Sequence, residues 1–137
     1  MSNLAFPYPL PEYGAEAYWE ACNHERLVMQ RCEACHKFRF HPAPLCTHCS
    51  DEHFTWARLS GRGKVVTWTV ITHPVHPAAF AKVPYVVAQI ELDEQRGLTM
   101  ISNLINVDLN AIRFDMPVSV KFESHPNGQK LPVFAPI

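Results

Sequence analysis

Apolar and polar positions alternate at two different periods along this chain, and the change of period divides it. From residue 14 to about 24 the spacing is helical: Ala15, Tyr18, Trp19 and Cys22 share one face, and Glu16 and Glu20 fall on the other. Beyond Ser60-Gly-Arg-Gly63 the period shortens to two, as in half-buried strands. Val66, Trp68 and Val70 alternate with Thr67 and Thr69, and Val86, Ala88, Ile90 and Leu92 alternate with Val87, Gln89 and Glu91. Val118, Val120 and Phe122 alternate in the same way with Ser119, Lys121 and Glu123. Residues 98–105 read as a further strand whose inward face the pattern leaves open, and residues 131–135 as a last one. Residues 93–97 are expected to turn a hairpin, with Gly97 where a positive φ is needed. Asp108 is placed to cap one helical turn. Five strands with a short helical piece between the third and fourth predict an OB-fold, a pattern that other small barrels share.

Between helix and barrel the signal is chemical. Leu27-Val-Met-Gln-Arg31 leads as a short strand into Cys32-x-x-Cys35, and Lys37-Phe-Arg-Phe-His41 alternates as a second strand until Pro42 and Pro44 break it. Cys46-x-x-Cys49 follows, with ten residues between the pairs. Two such pairs predict a tetrahedral four-thiolate metal site, normally zinc, with Cys32, Cys35, Cys46 and Cys49 as ligands. Four thiolates leave no open position for water or substrate, so the site is structural. Iron in the same ligand set is the redox alternative. Zinc knuckles often carry glycine after a pair; His36 and Ser50 stand there instead, and histidine tolerates a positive φ better than most residues. His36, His41, His48 and His53 read as surface residues or as partners outside a completed metal shell. The expected fold is mainly β: an N-terminal arm and helix (1–26), a rubredoxin-like zinc ribbon (27–59) and a five-stranded OB-fold barrel (60–137).

Composition narrows the function classes. At 137 residues, 47% hydrophobic and 18% charged, the chain suits one ordinary domain or two small modules sharing a core. It has no run long enough for a transmembrane helix and no basic-then-apolar leader, and its paired thiols point to a reducing cytoplasm. The fifth cysteine, Cys22, reads as a small buried apolar residue on the helix. Residues 24–64 hold seven Lys/Arg against four acids, and five of the eight histidines. Residues 65–137 hold five Lys/Arg against six acids. A zinc ribbon joined to an OB-fold also suits a single-stranded nucleic-acid module, but a net charge of −1 offers little to track phosphates.

No nucleophile elbow or phosphate-cradling loop is present, and no His is tied by spacing to a nucleophile. Residues 73–84, His-Pro-Val-His-Pro-Ala-Ala-Phe-Ala-Lys-Val-Pro, form the most unusual loop; it either contacts a ligand or plugs the barrel end. At the N-terminus Pro7, Pro9 and Pro11, with Phe6, Tyr8 and Leu10 between them, make an extended arm that either lies along a surface or is a free tail.

Together these pieces resemble the zinc-ribbon plus OB-fold, acyl-CoA-associated proteins of domain-of-unknown-function family 35. The resemblance rests on Tyr18-Trp19-Glu20, Leu27-Val-Met-Gln-Arg-Cys32, both cysteine pairs with Pro42 and Pro44 between, and Ser60-Gly-Arg-Gly63-Lys-Val-Val. It continues through His73-Pro74, His76-Pro77, Val83-Pro-Tyr85-Val-Val-Ala-Gln-Ile-Glu-Leu92, Ser102-Asn103-Leu104 and Met116-Pro117-Val118. It implies a non-catalytic accessory subunit that binds a thiolase-like enzyme of the sterol-carrier-thiolase type, an acyltransferase or aldolase, and helps form its acyl-CoA site. Relatives of this kind also occur fused to or paired with hydratase domains. The resemblance carries the metal ligands to Cys32, Cys35, Cys46 and Cys49. Trp68, His73, Phe80 and Tyr85 are candidates for contact with a CoA thioester; alternatively Trp68 and Tyr85 are barrel core and the other two belong to a surface loop. The expected partners exclude nucleic acid and membrane, and self-association is expected when the enzyme is absent.

Overall fold

A computed structural model describes residues 7–137; the start of the proline arm, with Phe6, lies outside the described residues. The helix is α1 (Glu16–Asn23), which buries Tyr18 and Cys22 as its pattern requires. A three-stranded antiparallel ribbon follows, with β1 (Val28–Cys32) between β2 (Phe38–Arg39) and β3 (Phe54–Arg58). Two details differ from the expectation. The second strand keeps only two paired residues, because the chain leaves the sheet before Pro42. The third, unforeseen, runs the whole length of β1, from Val28 opposite Arg58 to Cys32 opposite Phe54.

The barrel strands are β4 (Arg62–Ile71), β5 (Tyr85–Leu92), β6 (Thr99–Leu104), β7 (Pro117–Ser124) and β8 (Lys130–Pro136). They close in the order β4-β5-β6-β8-β7, with β4 pairing β7. A 3₁₀ turn at Leu109–Ala111 lies between the third and fourth barrel strands, and the Asp108 carboxylate accepts the Asn110 N–H at 2.9 Å. This is the closed five-strand barrel expected of an OB-fold. On β5, Val86, Ala88, Ile90 and Leu92 are all buried, as the alternation requires. On β6 the inward residues include Met100 and Leu104.

The first barrel strand is not one continuous alternation. Its register against β5 steps from Val65 opposite Ile90 to Thr67 opposite Gln89, so Val66 is the extra residue of a β-bulge. Val65 is therefore fully buried before the bulge, while Trp68 and Val70 pair with Ala88 and Val86 on the inward face after it. Gly61 and Gly63 serve the same strand by close approach. A Cβ on Gly61, whose φ is +79°, would drive into Val120, and one on Gly63 would meet the Glu91 carbonyl oxygen at 2.5 Å.

Ribbon, helix and barrel share one continuous core, which runs from Tyr18 and Cys22 through Leu27, Met29 and Leu59 to Ile90 and Phe134. Polar clamps fasten its edges. Gln95, in the β5–β6 turn, accepts the Phe38 N–H at 2.8 Å and donates to the Phe38 carbonyl at 3.0 Å, so it pairs with β2 as a strand residue would. In the β7–β8 turn, Gln129 donates to the Trp19 carbonyl at 3.1 Å. Nearby, the Lys130 N–H donates to the Asn23 side-chain oxygen at 2.9 Å. The weakest seam of the barrel lies between β6 and β8, which share a single parallel register pair, Leu104 with Phe134. No helix of the described residues is long and apolar enough to cross a membrane.

Candidate functional site

The two Cys-x-x-Cys segments form mirrored knuckles. In the first, the His36 N–H donates to the Cys32 carbonyl at 2.9 Å; in the second, Ser50 N–H donates to the Cys46 carbonyl at 2.9 Å. Both turns close with a positive φ on the residue after the pair, 63° at His36 and 66° at Ser50. These are the positions where glycine is common, and the fold takes the same conformation with His and Ser. All four sulfurs lie within 4.8 Å of one another, with Cys32–Cys49 at 3.5 Å and Cys35–Cys46 at 3.6 Å. A tetrahedral ion with metal–sulfur bonds of about 2.3 Å sets sulfur–sulfur edges of about 3.8 Å, so the donor set fits such an ion. The four cysteines form a metal-binding cluster of zinc-ribbon type.

The aromatic and histidine candidates are distributed differently. Trp68 sits on the inward side of β4, half-buried against the core, with its ring 5.2 Å from that of Phe114. His73 and Phe80 meet edge-on at 6.3 Å, within the loop that carries the 3₁₀ turn Pro77–Ala81. Tyr85 opens β5 three residues from Ala88, and therefore faces the opposite side of the sheet from Trp68. It lines a cleft of about 350 Å³ with Lys82, Asn103, Glu123 and His125. The structure thus brings His73 to Phe80 and separates both Trp68 and Tyr85 from a common pocket. Phe114, Lys82 and His125, absent from the sequence-based candidates, are the neighbours of Trp68 and Tyr85.

Comparison with known proteins fits this architecture. Residues 19–54 match the family described as "ChsH2, rubredoxin-like zinc ribbon domain", and residues 56–123 match "ChsH2, C-terminal OB-fold domain". A "DUF35 domain-containing scaffold protein" of Pyrococcus furiosus is 31% identical, over 75% of this chain and 74% of its own length. The chain belongs to the DUF35 family. A "Probable enoyl-CoA hydratase alpha subunit" of Thermomonospora curvata is 39% identical over 88% of this DUF35 chain, which spans only 37% of that protein. Among solved structures, a chain of "Ltp2-ChsH2(DUF35) aldolase" superposes with a TM-score of 0.83 at 36% identity. That likeness covers 94% of this chain and 98% of the other.

Backbone N–H groups tune the cluster of this DUF35 chain. The N–H of Cys35 leads the causes that lower the Cys32 thiol. The N–H groups of His48 and Cys49 hold Cys46 down at about 6. Cys49 accepts the Asp51 N–H, yet the neighbouring sulfurs, Cys32 first, push it up to about 12. A cation entering the cluster therefore competes with protons at sulfurs whose ionisation the backbone N–H groups assist at Cys32 and Cys46. Arg39 went unnoticed in the sequence, where it counts among the basic residues of a surface module. In the fold it is buried, with its guanidinium 4.8 Å from the Phe54 ring centre and Nη1 donating to the Asp51 carbonyl at 3.5 Å. The alternation around it was the available signal: Arg39 lies between Phe38 and Phe40 on a strand too short for its pattern to fix a face.

Proposed function

We propose that this DUF35 chain is a non-catalytic accessory subunit of a thiolase-like enzyme of the sterol-carrier-thiolase type, an acyltransferase or aldolase, and that it helps form the enzyme's acyl-CoA site. The observation that carries the reading is the likeness, over 94% of this chain and 98% of the other, to the chain from the Ltp2-ChsH2(DUF35) aldolase. The chemistry of the chain agrees. Its densest group of reactive side chains is a four-thiolate cluster, which leaves a bound ion no position for substrate. The ion is zinc, held by Cys32, Cys35, Cys46 and Cys49 and structural in role, and the protein works in the reducing cytoplasm where such thiols persist. The hydratase name of the Thermomonospora relative transfers less readily, since this chain spans little more than a third of that protein, at 37%.

Contact with a CoA thioester is assigned to the end of the barrel that bears the 73–84 loop. Tyr85 with Lys82 offers a hydroxyl and a cation beside a partly apolar cleft, His73 and Phe80 supply aromatic surface in the adjoining loop, and Trp68 would meet a ligand only from the inner side of the sheet. Co-expression with the Ltp2 component of the aldolase, followed by size-exclusion chromatography and aldolase assay, tests the reading. A stable complex is expected, with the isolated DUF35 chain inactive. A chain that never enters a complex, beside an enzyme fully active without it, sinks the proposal.

A further inference from the structure

Three clefts adjoin one another around the arm and helix, and none of them is lined by a metal-ligand cysteine. The first, of about 510 Å³, lies over the weak β6–β8 seam and is lined by Leu10, Tyr13, Trp19, Phe40 and Ile101 among others. The second, of about 500 Å³, shares Tyr13 and Pro42 with it and reaches Phe54 on the ribbon. The third runs along α1 and shares Trp19 with the first and Glu16 with the second. Tyr18 packs against Trp19 at 5.0 Å and against Phe40 at 5.5 Å, so the first cleft is floored by a packed aromatic cluster. Around it the surface is apolar and open: Tyr13 is 101% exposed, Leu10 77% and Ile101 64%. Contiguous exposed apolar surface of this kind marks contact with another protein.

The charges of this face have one sign. Among the described residues, the only Asp, Glu, Lys or Arg that line the three clefts are Glu12, Glu16 and Glu20. Among the described residues none of these glutamates forms an ion pair with Lys or Arg; Glu20 meets only His24, at 3.5 Å. A further apolar exposure, at Phe114 beside Trp68, lacks this property, because the nearby Asp115 and Glu91 already share Lys64 at 3.8 and 3.6 Å. We propose that the arm–helix face is where the enzyme docks, through a segment that presents large apolar side chains flanked by Lys or Arg. The inference rests on the accessory-subunit reading above. The apolar side chains fill the clefts around Tyr13, and the basic flanks meet glutamates that no Lys or Arg of the described residues neutralises, which complements the charge of the rim.

The test uses the full chain and the Ltp2 component of the aldolase, with the dissociation constant measured by calorimetry at low and high salt. Tyr13→Ser with Ile101→Ser removes two exposed apolar side chains and is expected to weaken binding by tenfold or more. Glu12→Lys with Glu20→Lys is expected to weaken it comparably at low salt, with the difference shrinking as salt screens the rim. Circular dichroism melts of both variants, superimposable with wild type, exclude a folding defect, and Leu109→Ser with Ile137→Ser, at exposed positions that line none of the three clefts, is expected to leave affinity unchanged. If wild type binds and the arm–helix variants bind as tightly, the docking face is wrong while the accessory reading stands. Loss of binding in the Leu109/Ile137 variant alone overturns it too. If wild type itself does not bind, both fall together.

Discussion

Two groups of four side chains were singled out for chemistry, and the fold treats them in opposite ways. Cys32, Cys35, Cys46 and Cys49 converge until every sulfur is within 4.8 Å of the others. Trp68, His73, Phe80 and Tyr85 are divided among the inside of a strand, a surface loop and the outside of the next strand. The difference lies in the range over which geometry is fixed. A Cys-x-x-Cys knuckle sets the direction of both its side chains within one turn of backbone, so only the meeting of two knuckles is left to the fold. Residues on neighbouring strands converge only if register and face agree, and a single bulge at Val66 changes both.

The strongest way to break this contrast is to remove one sulfur. Cys32→Ser is expected to abolish stoichiometric metal binding, measured by elemental analysis, and to unfold the ribbon. A structural zinc contributes on the order of 10 kcal/mol of apparent folding energy, comparable with the whole stability of a small domain. A variant that stays folded and enzyme-bound but loses activity in the complex would give the cluster more than a structural role. On the barrel side the largest effect is expected where the seam is weakest. Phe134 is fully buried and forms the β6–β8 register pair with Leu104, so Phe134→Ala is expected to cost about 3–5 kcal/mol in urea unfolding.

The link between the halves is next. Gln95→Ala leaves the Phe38 N–H and carbonyl without their clamp and is expected to cost about 1–3 kcal/mol, seen as earlier hydrogen exchange in β2 than in the barrel. The cysteine cluster and the core also differ in their response to pH. The Cys46 thiol is held at about 6, below its ordinary 9.0. Its contribution is therefore complete above 9.0 and is lost as pH falls through about 6. Metal affinity should drop there by about tenfold per pH unit for each proton taken up, readable by competition with a chromophoric chelator. In the core, burial pushes Cys22 from 9.0 up to about 12, so the unfolded chain ionises first. Stability should fall as pH rises from 9.0 towards about 12, and Cys22→Ala should flatten that decline. The smallest effect is expected at Tyr85→Phe, which keeps the ring and removes a hydroxyl at a half-exposed position. Stability should change by less than about 0.5 kcal/mol, and any loss of CoA-thioester binding in equilibrium dialysis then reports contact alone.

Much of the architecture was legible for local reasons. The helix, the knuckles and the five barrel strands each follow from a short-range pattern, and Val86 to Leu92 bury alternate residues as written in the sequence. The third ribbon strand, Phe54–Arg58, was missed because its five residues carry no clean alternation and only pairing with β1 makes them a strand. Arg39 was read as a surface charge, because nothing local says that β2 folds under Phe54. Gln95 and Gln129 look like ordinary turn residues until the ribbon and helix arrive beside them, 57 and 110 residues away in sequence.

By itself the sequence determined the two cysteine knuckles, the order of the helix and barrel strands and the family resemblance, all of which depend on spacing within a turn or a strand. The tertiary structure decided which side of β4 turns inward, that Trp68 and Tyr85 face apart, and that the arm, helix and seam make one apolar face rimmed by Glu12, Glu16 and Glu20. Those features arise where segments distant in sequence meet, and register, bulges and packing, rather than local periodicity, fix how they meet.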